Sequence, residues 1–214
     1  MSHFKFYSAP ISNKNYVGPR VKREMVQCYI QMEDYENALE YARNNWTESS
    51  LNPFHTQAYF YCLINSKDYM VYKLTIEKLI ENLEQMDSIK ANEMAAIARA
   101  LYFSKIEQNE VKSFNSIDDA ILMYSDTYYP ILAKCDIAIK FKNIRALDEA
   151  VESLEIISKK REQVIRALNK YKAYTLALKG SKDAAIQLIT SEINQYPEQN
   201  QKKIIRKIEE LSSL

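Results

Sequence analysis

Apolar side chains recur along this chain at three- and four-residue intervals, and short polar stretches break the pattern at regular distances. Over residues 19–31, Val21, Met25, Cys28 and Tyr29 share one stripe of a helix. After the break Met-Glu-Asp, Tyr35, Ala38, Leu39, Ala42 and Trp46 form a second stripe over 35–46. Two amphipathic helices joined this closely predict an antiparallel hairpin. The motif recurs at 52–65 with 69–83, and at 91–105 with 116–129 across a longer break at 106–115. It recurs again at 129–141 with 146–159, and at 164–178 with 183–196. A last amphipathic stretch, 197–214, turns Ile204, Ile205, Ile208 and Leu211 inward, with Gln, Lys and Glu outward. The expected fold is all-α, with about five antiparallel helix pairs and a C-terminal capping helix. Residues 1–18 read as an N-terminal extension, 19–196 as a helical repeat domain and 197–214 as the cap.

Proline placement gives the period. Pro53, Pro130 and Pro197 each fall in the first turn of an expected helix, where a missing N–H costs nothing. Their spacing allots about 34–38 residues to each pair, the interval of a helical repeat array. Glycine is scarce, at 2 residues where an average chain of this length carries about 15. Tight hairpin turns between strands draw on residues with positive φ, so the scarcity argues against a sheet protein. Each pair is apolar on too broad a face to stand alone, and stacking the next pair covers it. Small residues at Ala38, Ala120, Ala150 and Ala185 let paired helices approach closely.

In these features the sequence resembles the tetratricopeptide repeat family, whose pattern places aromatics, small residues and alanines at set offsets. The first pair matches through Tyr29, Tyr35 and Ala38, and the fourth through Ala138, Phe141, Leu147, Ala150 and Leu154. The fifth matches through Ala173, Gly180, Ala185, Ile189 and Pro197, and the third through Ile117, Ala120 and Tyr124 alone. Val26, Ala138 and Ala173 stand where the family has glycine, and in the second pair Phe60 and Tyr72 replace small residues. The match is therefore degenerate. The resemblance implies a right-handed α-solenoid whose first helices line a concave groove. Arg20, Arg23, Gln27, Tyr61, Asn65, Arg99, Tyr102, Lys142, Asn143, Lys170 and Tyr174 would then face that groove. Aromatic side chains with arginine are the composition of binding hot spots; a tyrosine packed between helices with its hydroxyl at water would leave the same trace.

Candidate chemistry is thin. His3 and His55 are the only histidines, so a zinc site is not expected. Cys28, Cys62 and Cys135 are widely separated and set among apolar neighbours, which suits a reducing compartment rather than a metal knuckle. Gly18 and Gly180 have no second glycine nearby, so no phosphate-cradling loop is present. Carboxylate pairs such as Asp118-Asp119 and Glu209-Glu210 read as solvated helix faces. No cofactor, metal or catalytic residue is expected, and the chain does not read as an enzyme. No apolar run has the length of a signal peptide or a membrane span, so a cytoplasmic location without membrane association is expected.

The leading expectation is a scaffold module that binds a peptide or partner protein on its concave face. The aromatic start of the chain also fits a fragment of a larger multidomain protein. The alternative partner is nucleic acid. Lys159, Lys160, Arg161, Arg166, Lys170 and Lys172 surround a single acid, Glu162, in the region 159–172, next to Tyr171 and Tyr174. Against it stands a near-neutral balance of 29 basic and 28 acidic residues, which exerts little overall pull on phosphate.

Overall fold

The computed structural model describes residues 19–32, 34–191, 196 and 198–213. Among them it contains eleven α-helices and no strand. The first hairpin is α1 (Pro19–Gln31) with α2 (Tyr35–Glu48), the second α3 (Pro53–Asn65) with α4 (Lys73–Glu84). The third is α5 (Ile89–Lys105) with α6 (Glu110–Met123), and the fourth α7 (Tyr129–Phe141) with α8 (Ile144–Ser158). A single 3-10 turn, Glu162–Val164, leads into α9 (Ile165–Leu178), which pairs with α10 (Lys182–Ser191). The chain finishes in α11 (Glu198–Ser212).

Short polar side chains fix where five of these helices begin. Asp34, Asn52, Ser88, Asn109 and Asn143 each accept a hydrogen bond from a backbone N–H in the first turn of the helix that follows. Pro53 and Pro130 lie in first turns as expected, whereas Pro197 falls outside the described residues. After α9 the chain reverses at Gly180, whose φ of 79° is the left-handed conformation that a side chain disfavours. There the Gly180 and Ser181 N–H groups satisfy the carbonyls of Ala177 and Leu176.

The third hairpin departs from the sequence expectation. Its break is not the long stretch 106–115: α6 already begins at Glu110. Ser113, Ile117 and Ala120 form its buried stripe, and the Ser113 hydroxyl returns a hydrogen bond to the Asn109 carbonyl. A polar serine at the first inward position hid that turn of helix from a reading based on apolar spacing. In the second hairpin, α4 starts only at Lys73, because residues 66–72 are taken up by turns.

Packing follows the chain. Each helix contacts the next, and in addition α1 touches α3, α3 touches α5, α5 touches α7, and α7 touches α9. The odd-numbered helices thus form a continuous row, while the even-numbered helices pack behind them. Ala38, Ala120, Ala150 and Ala185 are all fully buried, so no side chain holds paired helices apart at these points. The core falls into two main parts that meet at α7. Ala133 and Ile137 belong to the part shared with α1–α6, whereas Ile131, Cys135, Ala138 and Ile139 belong to the part shared with α8–α11. On α11, Ile204, Ile208 and Leu211 complete that second part, and Ile205 is half-buried. No helix among the described residues is long and apolar enough to cross a membrane.

Candidate functional site

The row of odd helices carries a seam of polar groups that pair from one helix to the next. On α3, the Asn65 side-chain amide donates to the Tyr61 carbonyl at 2.9 Å, which turns its oxygen outward. That oxygen accepts from the Lys105 ammonium on α5. On the next pair of odd helices, the Tyr171 hydroxyl of α9 donates to Asp136 Oδ1 of α7 at 2.8 Å. Between α5 and α7 the two pairs feel each other only through longer-range charge. Burial lowers the pKa of Lys105, the Asp136 carboxylate partly restores it, and the Lys140 ammonium lowers it further. Burial raises the Tyr61 phenol above its usual range, and the carboxylates of Asp136 and Glu93 add to this. Burial likewise raises Tyr171, reinforced by Asp136. Two hydrogen-bonded pairs, Asn65–Lys105 on α3 and α5 and Asp136–Tyr171 on α7 and α9, thus follow one another along the row, and no hydrogen bond or ion pair among the described residues joins one pair to the other. Asp136 and Lys140 expose the seam to solvent.

The residues expected in a groove are divided among several environments. Tyr61 and Asn65 lie on this seam, and Lys170 sits beside it with its ammonium 4.5 Å from the centre of the Tyr171 ring. Tyr174 is buried edge-on against Tyr171. Arg99 and Tyr102 face α4 instead: Arg99 Nε donates to Glu84 at 2.8 Å, and the Tyr102 hydroxyl donates to Glu77. Burial and that bond push Tyr102 up to about 12. Lys142 and Asn143 form the α7–α8 turn. Lys142 has a φ of 56°, and Asn143 caps α8 while donating to Glu110 at 3.0 Å. Arg23 and Gln27 are exposed on α1, beside a small cavity of about 260 Å³ that His55 and Asn45 also line. The side chain of Arg20 lies outside the described residues.

Lys105 and Asp136 were absent from the sequence expectation, and Tyr171 entered it only as a neighbour of the basic region 159–172. Asp136 left a trace there, as the only carboxylate in the largely apolar helix YPILAKCDIAIKF, whose other charges are Lys134 and Lys140. An unaccompanied acid in a helix buried on most sides calls for a partner across the packing interface.

A second region lies where the two ends of the chain meet. The Asn200 amide of α11 donates to the Gln31 carbonyl at 2.7 Å, and the Lys203 ammonium donates to the Met32 carbonyl at 2.6 Å. Carbonyls at the end of a helix lack partners within it and attract cations. The last helix thus caps the first. Beside this clasp is a cavity of about 1150 Å³, lined by Gln31, Asn200 and the connection from α8 into α9. That connection brings Lys160, Arg161 and Arg166 to the cavity against one acid, Glu162. The rest of the basic run goes elsewhere. Lys172 pairs with Glu155 of α8 at 3.0 Å, Lys170 lies on the seam, and Lys159 is exposed after the end of α8.

Cys62 and Cys135 are fully buried, and burial pushes the Cys62 thiol up to about 12 and raises Cys135 as well. Neither is set up as a nucleophile. Among the described residues no group of three or more His, Cys, Asp or Glu side chains is placed to hold a metal ion. Comparison with known protein families, with curated proteins and with solved structures finds no match to this chain.

Proposed function

We propose that this chain is a protein-interaction module, a right-handed tetratricopeptide-like solenoid whose odd helices take an extended peptide or a partner segment. The observation that carries this reading is the seam of two successive pairs, Asn65–Lys105 and Asp136–Tyr171. It places alternating donors and acceptors along a continuous row of helices rather than converging them on one point. A linear array of fixed polar groups suits a linear ligand, since each helix contributes one contact and the groups are already held in place. The half-buried Tyr61 and the buried Tyr171 and Tyr174 supply apolar surface beneath that line. Three free thiols, two of them within the core, support a cytoplasmic setting.

Selection of displayed peptides on the purified chain tests the reading. Selected peptides should perturb the backbone NMR signals of α3, α5, α7 and α9, and an Asp136→Lys change should weaken them about tenfold or more. Signals that move on the even helices alone, or peptides indifferent to Asp136→Lys, would overturn it.

A further inference from the structure

The geometry points to the cavity at the clasp as a binding site for single-stranded nucleic acid, distinct from the seam on the odd helices. Three observations converge there.

The first is unspent charge. Among the described residues, Lys160 and Arg166 line the cavity with no ion pair or hydrogen bond to their side chains, unlike most of the other described basic residues. Lys22, Lys90, Lys112, Lys134, Lys179 and Lys207 all reach carboxylates. Three basic groups against the single carboxylate of Glu162 leave the concave site with a net positive charge, which favours an anionic ligand.

The second is an aromatic platform next to it. Tyr128 and Tyr129 stack with ring centres 4.6 Å apart at 28°, and Tyr129 is 47% exposed. The Lys90 ammonium lies 4.6 Å from the Tyr129 ring centre, where an incoming base would displace it. Arg161 joins this platform to the cavity. Its guanidinium lies 5.9 Å from the Tyr128 ring centre and donates to the Asp126 carbonyl at 2.9 Å. Gln163 reaches the Tyr128 hydroxyl from the same connection. Cations beside exposed stacked rings form the pattern that holds phosphates and bases of a flexible strand together.

The third is an unmet acceptor. Asn200 spends its amide N–H on Gln31, and its Oδ1 is buried with no hydrogen-bond partner. Once the Asn200 side chain turns toward the cavity, a base edge offers donors to this oxygen, whereas a phosphodiester or a carboxylate carries none. The volume of about 1150 Å³ also exceeds the roughly 300–1,000 Å³ of a small-molecule pocket. A strand fits the combination: phosphates at Lys160, Arg161 and Arg166, one base on Tyr129, and a base edge at Asn200. The ligand would span residues from both ends of the chain and so hold the clasp shut.

Fluorescence anisotropy with labelled single-stranded RNA and DNA hexamers tests this. Three neutralised phosphates give a slope of about −2 in log affinity against log salt, so affinity should fall roughly 20-fold between about 50 and 200 mM salt. The Lys160→Glu/Arg166→Glu variant, at exposed positions, should keep its helical spectrum and melting point and lose tenfold or more in affinity. Tyr129→Ala should weaken binding several-fold without changing the salt slope. Lys160→Gln alone provides a milder variant with a smaller loss in the same direction. No binding at low salt, or binding untouched by these charge changes, would overturn the proposal. Equal binding of tripolyphosphate or of a poly-glutamate peptide, with Tyr129→Ala silent, would overturn it too and leave a general anion site.

Discussion

The seam and the clasp cavity are both polar, yet they hold their charges in opposite ways. Along the seam each group is answered from a neighbouring helix: Lys105 by Asn65, and Asp136 by Tyr171. At the cavity, the side chains of Lys160 and Arg166 form no ion pair or hydrogen bond among the described residues, with Glu162 the one acid in the lining. Buried or half-buried groups such as the Tyr171 hydroxyl and the Lys105 ammonium must be paired, because desolvation without a partner costs more than the pair returns, whereas Asp136 on the same seam is itself exposed. Exposed groups carry no such requirement and remain available to a ligand. The seam is therefore tied to stability as well as to recognition, while the cavity can be altered with little effect on folding.

The largest effect comes from beneath the seam. Ala150 is buried in the core shared by α7, α8 and α9, so Ala150→Arg should destabilise by about 3 kcal/mol or more through overpacking and a buried charge. Chemical denaturation should show the midpoint collapse. Within the seam itself, Asn65→Leu removes the acceptor of a partly buried ammonium and should cost about 1–3 kcal/mol, read by the same measurement. A cost as small as that of a surface change would erase the distinction between the two regions.

A pH dependence separates buried phenols from the cavity. The folded chain raises Tyr102 from 10.0 to about 12, so it keeps a proton there that the unfolded chain has already released. The stability this contributes is complete below about pH 10 and is lost as pH rises through about 12. Tyr102→Phe should make the alkaline loss of stability shallower across that window, without abolishing it, because Tyr61, Tyr171 and Cys62 are raised as well. Melting curves at a series of alkaline pH values would show this. The smallest effect belongs to the cavity: Lys160→Ala and Arg166→Ala should each change stability by no more than about 0.5 kcal/mol. A larger loss would mean that these charges serve the fold.

Much of the framework was legible along the chain. The apolar stripes identified the hairpins, and Asn52-Pro53 marked the start of α3. Alanine at 38, 120, 150 and 185 located the close approaches. These features are local, since three- and four-residue spacing is a property of a single helix and a cap acts within one turn. The α6 boundary was missed because Ser113 is polar in type but buried in place. Of the expected groove residues, Tyr61 and Asn65 reached the seam, while Arg99 and Tyr102 turned toward α4. A stripe wide enough to bury a helix on several sides does not say which neighbour a given polar residue will meet.

The sequence alone determined that this protein is a row of helix pairs, because amphipathic period, capping residues and small-residue contacts act over a few residues at a time. The tertiary structure decided that the Asp136 carboxylate acts on Lys105 through its charge, and that Asn200 and Lys203 close onto the end of α1. Contacts between residues so far apart depend on the rotation accumulated over successive hairpins. Small changes in each packing angle add along the row, so no single segment encodes where its ends will meet.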